Sequence, residues 1–156
     1  MKILFIDNFA INFGVSYIAT VLRLGGHEVE LLDFQLPKWK GLDLYRDPSR
    51  YFSFDEVSDK ALEKNPDIIG FSVFSPNYMF YKCAAEAIRK KSQVPILVGG
   101  VLPTMKPELL TENTCCDYVF RGEAEPVILE LVEKISSEKY HDVPNIVYRG
   151  ENGKII

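Results

Sequence analysis

The chain has 156 residues, of which 47% are hydrophobic, 26% charged and 12% aromatic, and its formal net charge at pH 7 is −4. This length predicts one domain with a full core, since a chain of this size buries about 70% of its unfolded surface. The net negative charge argues against a nucleic-acid partner, because nucleic-acid-binding domains usually carry a basic face. No stretch reaches the roughly 18 consecutive apolar residues of a membrane helix.

The N-terminal part of the chain alternates strand, helix and strand. Residues 2–7 predict a strand, which is too short and too strand-like for a signal peptide, so we expect a cytoplasmic protein. Apolar residues at helical spacing predict a helix over 13–26, whose end is marked by Gly25 and Gly26. Residues 27–34 then predict a second strand.

The connection over residues 34–53 is long, because a strand-to-helix loop usually has about 2–6 residues. It combines aromatic with basic side chains, which are Trp39, Tyr45, Tyr51, Phe52, Lys38, Lys40, Arg46 and Arg50. One interpretation is an irregular flap packed by its own aromatic residues. The other is a lid, or a docking surface for a following domain. Both interpretations remain open at this point.

The next segment, residues 53–67, predicts a helix. It opens with Ser53-x-x-Glu56, a capping-box pattern in which side chains bind the free backbone N–H groups of the first turn. Asn65-Pro66 stops the helix, because proline cannot donate to the helical ladder. Residues 67–75 are almost wholly apolar and predict the third strand.

The fourth strand of the pattern ends on two glycines. Before it, Ser75 and Pro76 predict the N-cap and first-turn proline of a helix over 77–91. The stretch VPILVGGVLPT, residues 94–104, then predicts a strand buried on both faces that stops at Gly99-Gly100. Adjacent glycines add no side-chain packing and cost conformational entropy. They therefore indicate either a tight turn or the close approach of a ligand to the backbone.

The C-terminal part completes the alternation. A short helix near 105–112 is followed by the fifth strand with its exit turn, 116–125, and by a helix over 125–135 with one apolar face. The tail, residues 145–156, predicts a hairpin, because two apolar runs flank Glu151-Asn152-Gly153.

Five strand–helix units in succession predict an α/β fold with a parallel sheet covered by helices on both faces. With right-handed crossovers, the expected architecture is a flavodoxin-like (Rossmann-like) three-layer sandwich with the strand order 2-1-3-4-5. We expect residues 1–143 to form this α/β domain and residues 144–156 to form a C-terminal β-hairpin.

Ligands of such folds bind beyond the carboxyl ends of the strands. The loops there are small, hydroxylated or rich in glycine, and they contain neither a histidine nor a nucleophile–base pair. This pattern favours binding a large flat ligand through backbone groups over catalysis, so we assign no catalytic residue. The competing interpretation is that Gly99, Gly100 and Gly122 only make tight turns.

Metal ligands are sparse in the sequence. Cys83, Cys115 and Cys116 form no CxxC or CxxxCxxC motif, which argues against a zinc or iron–sulfur site in this chain. His27 precedes the second strand and His141 follows the last helix, so topology places both histidines at the end of the sheet opposite the ligand edge. We therefore assign no metal-binding residue.

Five segments, in register along nearly the whole chain, resemble the cobalamin (vitamin B12)-binding domain at the N-terminus of many radical SAM enzymes. They are FGVSYIATVLRLGGHEVELLD, PDIIGFSVFSPNY, VPILVGGVLPTMKPELL, DYVFRGEAEPVILELVE and VPNIVYRGENGKII. The resemblance implies a cobalamin cofactor and a radical SAM domain in cis or in trans, with no nucleic-acid or membrane partner. S-adenosylmethionine and a [4Fe-4S] cluster would belong only to that further domain, in a parent enzyme that could be of methyltransferase type. We expect the chain to be a fragment or a separate subunit of it.

The resemblance also implies a site. The corrin ring would lie across the carboxyl edge, loop 8–14 would face the cobalt, and the paired glycines would let the nucleotide tail run close to strand 4. The cofactor-binding residues that it implies are Asn8, Phe9, Asn12, Gly14, Ser72, Phe74, Ser75, Asn77, Gly99, Gly100, Val101, Thr104, Gly122 and Glu123.

One departure from the family pattern concerns the cobalt. The family motif Asp-x-His-x-x-Gly places a histidine after strand 1, whereas this chain has Asp7-x-Phe9-x-x-Asn12. One alternative is that cobalamin binds with its lower cobalt face open, or held by water or by a group such as Asn8 or Asn12. The other is that the chain keeps the fold and has lost the cofactor.

Two other functions compete with cobalamin binding. A cofactor-free flavodoxin-like interaction or regulatory domain could dock a radical SAM partner through loop 34–53, although a phosphoreceiver is disfavoured because Asp7 stands without an acidic cluster. A flavin or nucleotide site ranks last, because there is no GxGxxG after strand 1 and no GxxxxGK[ST] motif.

Overall fold

The computed structural model describes residues 1–8, 12–35, 46–136, 142–148, 150 and 156. Within them, six strands form one sheet: β1 (Lys2–Asp7), β2 (Glu28–Asp33), β3 (Ile68–Ser72), β4 (Ile96–Gly99), β5 (Tyr118–Phe120) and β6 (Ile146–Tyr148). The helices are α1 (Phe13–Leu24), α2 (Phe54–Glu63), α3 (Tyr78–Lys91), α4 (Val101–Met105), α5 (Pro107–Asn113) and α6 (Ile128–Ser136). The described helices are all too short or too polar to span a bilayer.

The sheet has the order β2-β1-β3-β4-β5-β6. The first five strands pair in parallel, which confirms the predicted fold class and strand order. β6 pairs with β5 in the antiparallel sense, so the tail adds a sixth strand to the sheet. Tyr148 exchanges two backbone hydrogen bonds with Ile156, 3.1 and 3.0 Å long, as in the predicted hairpin. The turn of that hairpin, residues 151–153, lies outside the described residues.

Both faces of the sheet are buried. Because successive side chains of a strand point to opposite faces, one strand contributes residues to both cores. In β1, Leu4 and Ile6 join the core beneath α2 and α3, while Ile3 and Phe5 join the core beneath α1 and α6. β4 divides in the same way, and its Leu97 faces the α1/α6 side. The alternation therefore shows on which face of the sheet each residue near a strand end lies.

The described parts of the long connection pack against the α2/α3 core. Phe34, Phe52 and Phe54 surround Phe80, with the Phe52 and Phe80 ring centroids 4.9 Å apart in an edge-to-face arrangement. This agrees with a segment held by its own aromatic residues. Trp39 and Tyr45, on which the docking interpretation also depends, lie outside the described residues.

Two local predictions are wrong. Ser75 does not cap helix α3, whose N-cap is Asn77; residues Ser75–Asn77 instead form a 3-10 turn. The cause is the Asn77 amide, which accepts a hydrogen bond from the Phe74 N–H (2.9 Å) and donates one to the Ser72 carbonyl (2.9 Å). This side chain folds the turn back onto the end of β3.

The segment after β4 also differs from the prediction of a single helix near 105–112. Helix α4 begins at Val101, directly after Gly100, and a separate helix, α5, begins at Pro107. Lys106 lies between them with an extended φ of −143°, because the residue before a proline disfavours the helical conformation.

At the edge opposite the strands' carboxyl ends, one carboxylate ties three elements together. The Asp117 Oδ2 atom accepts hydrogen bonds from the Arg89 guanidinium of α3 (2.6 Å) and from the Ile96 N–H of β4 (2.8 Å). Arg89 also donates to the carbonyls of Cys115 and Ser92. The pair therefore fixes the entry of β5 against β4 and α3.

We expect Asp117→Ala to lower the free energy of unfolding by about 1–2 kcal/mol, less than the full value of two charge-assisted bonds because the carboxylate is partly solvated. Urea unfolding followed by circular dichroism measures this. Asp59→Ala is the matched control, since its ion pair with Lys91 is exposed and makes no bond to a strand, and we expect less than about 0.5 kcal/mol there. Equal losses in the two variants would contradict the prediction.

Candidate functional site

A cleft of about 330 Å³ opens at the carboxyl edge of the sheet, on the side of α1 and α6. It lies where α1, the end of β3 and the loops after β4 and β5 meet, at the edge expected for a ligand site of a parallel α/β sheet. The residues proposed from the sequence that line it are Gly14, Ser72, Gly99, Gly100, Val101, Thr104, Gly122 and Glu123. The proposed residues of α1, of the end of β3 and of the loops after β4 and β5 therefore do meet at one place.

The depth of the cleft is apolar. Sheet residues form its floor, and α1 and α6 close its sides; the apolar side chains that line it are those of Phe5, Val15, Ile18, Leu97, Phe120 and Ile128. Phe71 also borders the cleft, but its ring packs on Tyr81 in the core on the other face of the sheet. None of these residues was proposed from the sequence, because their periodicity assigns them to the core, and most are indeed buried. The available signal was their position at the carboxyl ends of strands. The rim residues Met105, Ala124 and Glu125 were missed as well.

Gly70, in the middle of β3, accommodates the ring of Phe5. A Cβ atom at position 70 would lie 2.6 Å from Cε1 of Phe5. Both residues line the cleft. Glycine inside an apolar strand is a sequence signal of close approach by another group, and here the approaching group is this ring.

The two adjacent glycines differ in what surrounds them. A Cβ atom on Gly99 would have no atom within 4 Å, and it would point to the same face as Leu97, into the cleft. Gly100 has φ +110° and ψ −167°, and its Cβ would lie 2.8 Å from the Val73 carbonyl oxygen and 2.9 Å from the Val73 nitrogen. The missing side chain at Gly99 thus leaves space for a ligand, whereas the backbone conformation and the nearby Val73 atoms require glycine at position 100.

Several proposed residues have side chains committed elsewhere. Asn12 caps helix α1, where its Oδ1 accepts a hydrogen bond from the Val15 N–H (3.2 Å). Asn77 holds the turn after β3, and Phe74 and Ser75 belong to that same turn outside the cleft lining. Phe9 lies outside the described residues.

Asn8 is a distinct case at the end of β1. The residue is only 4% exposed, and its backbone N–H donates to the Asp7 carboxylate (2.8 Å). Its side-chain Oδ1 is buried without a hydrogen-bond partner among the described residues. Because a buried acceptor without a partner costs about 1–3 kcal/mol, this atom indicates a position where a ligand or water would donate a hydrogen bond.

The titratable groups that line the cleft are the carboxylates Glu123 and Glu125. The described residues contain no cluster of three histidine, cysteine or acidic side chains that could hold a metal ion. His27 lies before β2 at the opposite edge, as predicted, and His141 falls outside the described residues. The arrangement is suited to binding.

A buried hydroxyl and a buried thiol with raised pKa values lie in another region. Burial raises the pKa of the Tyr81 hydroxyl well above its usual value, and it also raises the pKa of the Cys116 thiol. The Tyr81 hydroxyl and the Thr114 Oγ1 atom lie 2.6 Å apart in a hydrogen bond beneath α5, and neither residue lines the cleft. These groups are structural.

Comparison with known proteins gives one family match and several relatives. A family model described as a B12 binding domain matches residues 6–132. An uncharacterized methyltransferase of Pyrococcus horikoshii is 30% identical over 145 residues, covering 91% of this chain and 28% of that protein. The anaerobic magnesium-protoporphyrin IX monomethyl ester cyclase of Rubrivivax gelatinosus is 27% identical over 149 residues, covering 91% of this chain and 24% of the cyclase.

A solved structure has a similar fold. It is the radical S-adenosylmethionine methyltransferase TsrM of Kitasatospora setae with cobalamin and a [4Fe-4S] cluster bound, with a TM-score of 0.74 over 97% of this chain and 28% of that chain. The sequence identity is 20%, so this likeness speaks for the fold alone. The chain spans about a quarter of the length of the relatives that it matches.

Proposed function

The chain belongs to the family of B12-binding domains, and from this premise we propose that it holds cobalamin at its carboxyl-edge cleft as the cofactor module of a larger radical SAM enzyme. The observation that carries the proposal is the bare backbone at Gly99, which faces an open, apolar cleft. A side chain at that position would occupy the space that the ligand needs.

The residues present fit parts of such a cofactor. Cobalamin joins a broad corrin ring, rimmed by amides, to a nucleotide tail that ends in a flat aromatic base. A cleft of about 330 Å³ lies at the small end of ligand sites, which span roughly 300–1,000 Å³, so it suits the tail rather than the whole corrinoid. The apolar floor formed by Phe5, Leu97 and Phe120 would contact the base.

Polar groups at the mouth would meet the corrin amides. Ser72 and Glu123 line the cleft. The Oδ1 atom of Asn8, which has no hydrogen-bond partner among the described residues, lies at the end of β1 outside that lining. An amide N–H of the corrin rim supplies the donor that this acceptor lacks. When bound, cobalamin would supply cobalt-centred transfer chemistry, while the residues of this chain orient the cofactor and exclude water from its tail.

The cobalt would be held without a histidine. His27, one of the chain's two histidines, lies at the opposite edge of the sheet. The side chain of Asn12 is occupied as a helix cap. We therefore propose that no histidine of this chain would hold the cobalt, which would be open or bound by water or by Asn8, whose side-chain oxygen has no hydrogen-bond partner among the described residues.

The same edge exposes large apolar side chains, which favours contact with a further domain or subunit. Phe13 and Tyr17 project from α1, and Val101 and Met105 project from α4, with 64–73% of each residue exposed. We propose that a radical SAM domain, in cis or in trans, covers this edge and carries S-adenosylmethionine and the [4Fe-4S] cluster. The methyltransferase name of the Pyrococcus horikoshii relative supports methyl transfer as the reaction of the whole protein.

Cobalamin uptake tests the proposal directly. We expect the purified chain, mixed with hydroxocobalamin and passed through gel filtration, to retain the corrinoid absorption, with a saturable calorimetric signal. After reduction, the electron paramagnetic resonance spectrum of the cob(II)alamin form should lack nitrogen superhyperfine splitting, because neither a histidine nor the displaced base would ligate the cobalt. A colourless protein with no heat of binding would contradict the proposal and favour a cofactor-free interaction domain.

A further inference from the structure

Thr104 links two loops of the cleft through one hydroxyl group. It lies in the last turn of α4, where its Oγ1 donates a hydrogen bond to the Gly100 carbonyl (2.8 Å). The same oxygen accepts a hydrogen bond from the Gly122 N–H (2.9 Å), in the turn after β5. The second bond crosses from the loop after β4 to the loop after β5, 18 residues further along the chain.

The two residues that Thr104 links are glycines of the cleft loops whose backbone φ angles are positive. Gly100 has φ +110° and Gly122 has φ +80°, and both line the cleft. The Gly122 turn is exposed, so without Thr104 its N–H would bond to water and the turn would lose this connection to α4. The hydroxyl therefore holds the two walls of the cleft at a set separation.

The hydroxyl has little capacity left for a ligand. A threonine hydroxyl has one hydrogen and two lone pairs. Its hydrogen points to Gly100 and one lone pair receives the Gly122 N–H. Thr104 cannot donate a hydrogen bond to a cofactor while both bonds are intact. The family resemblance implied a direct cofactor contact for Thr104, which lines the cleft; through the hydroxyl such a contact would be limited to the remaining lone pair.

We propose that Thr104 is a positioning residue, which fixes the Gly100 and Gly122 turns before cobalamin arrives. The inference rests on the proposed function, since it concerns the same cleft. Binding sites whose walls are already ordered lose less conformational entropy when the ligand enters. Loss of the latch would therefore weaken binding by releasing the two turns, without removing a hydrogen-bond donor that is free to reach the cofactor.

The test compares Thr104→Val with two matched variants of the chain. Valine keeps the branched shape and removes the hydroxyl, whereas Thr104→Ser restores it. Thr20→Val makes the same chemical change at an exposed helical threonine, which bonds only to the Ser16 carbonyl of its own helix. We expect the Kd for hydroxocobalamin to rise about threefold to tenfold in Thr104→Val, the effect of about one hydrogen bond, and to stay at the wild-type value in the other two.

A second readout needs no cofactor. Amide hydrogen exchange of Gly122, followed by nuclear magnetic resonance, should be slowed in the wild type and in Thr104→Ser and become fast in Thr104→Val. A wild-type Kd in Thr104→Val, or exchange at Gly122 that the substitution leaves unchanged, would overturn the inference. Failure of the wild type to bind cobalamin would overturn the proposed function itself and the positioning role with it, while the exchange result would still report whether the latch forms.

Discussion

Gly100→Val is expected to lower the free energy of unfolding by about 2–6 kcal/mol. The backbone at φ +110° and ψ −167° lies in a region that is almost restricted to glycine, and forcing another residue into it costs about 1–3 kcal/mol. The new Cβ would also lie 2.8 and 2.9 Å from the oxygen and nitrogen of Val73, and overpacking of this kind adds about 1–3 kcal/mol.

The clash falls on backbone atoms that already make hydrogen bonds. The Val73 carbonyl accepts from the Leu102 N–H (3.0 Å), and the Val73 N–H donates to the Gly99 carbonyl (2.7 Å). These bonds hold the end of β3 against β4 and the start of α4, so relief of the clash would break them. Urea unfolding monitored by circular dichroism measures the loss. A stability within about 0.5 kcal/mol of the wild type would show that the turn adapts, and would contradict this reasoning.

Gly99→Val is expected to leave the stability nearly unchanged and to weaken cofactor binding instead. Its φ is not in the left-handed region and its Cβ would meet no atom within 4 Å, so we expect the unfolding free energy to change by less than about 1 kcal/mol, as valine is well suited to a strand. The side chain would project into the cleft beside Leu97. We expect the Kd for hydroxocobalamin to rise about 10- to 100-fold, equivalent to about 1–3 kcal/mol of overpacking against the ligand.

The two valine variants control each other, because they place the same side chain on adjacent residues. Calorimetric titration of folded Gly99→Val with hydroxocobalamin measures the affinity, and thermal unfolding verifies the fold. Wild-type affinity in Gly99→Val would mean that the cofactor does not pass this backbone, and the cleft would have to be abandoned as its site. Strong destabilisation would instead show that Gly99, like Gly100, serves the turn.

Much of the fold could be predicted because its signals are local. Apolar runs bounded by Gly25-Gly26, Asn65-Pro66 and Gly99-Gly100 mark the ends of elements, and the order of strands follows from right-handed crossovers. The family resemblance, carried by five segments in register, is confirmed by the family match over residues 6–132. The errors, at Ser75 and at the segment after β4, fall where the Asn77 side chain or Pro107 sets the local path of the backbone.

The site could be predicted only in outline. The loops after β4 and β5 meet α1 and the end of β3 at the expected edge, and Gly14, Ser72 and Glu123 do line the cleft. Asn12 and Asn77 do not, because their amides are bound to backbone groups of their own turns. A side chain's hydrogen-bond partner depends on the path of the chain around it, and residue type alone does not report that path.

The sequence by itself determined the alternation of strands and helices, the parallel sheet and the edge at which a ligand would bind, since periodicity and chain-breaking residues act over a few residues. Only the tertiary structure decided that the cleft lies on the α1/α6 face, that Gly99 leaves space while Gly100 relieves strain, and that Thr104 joins Gly100 to Gly122. Each of these depends on which atoms from distant parts of the chain stand opposite one another, and strand pairing sets that arrangement.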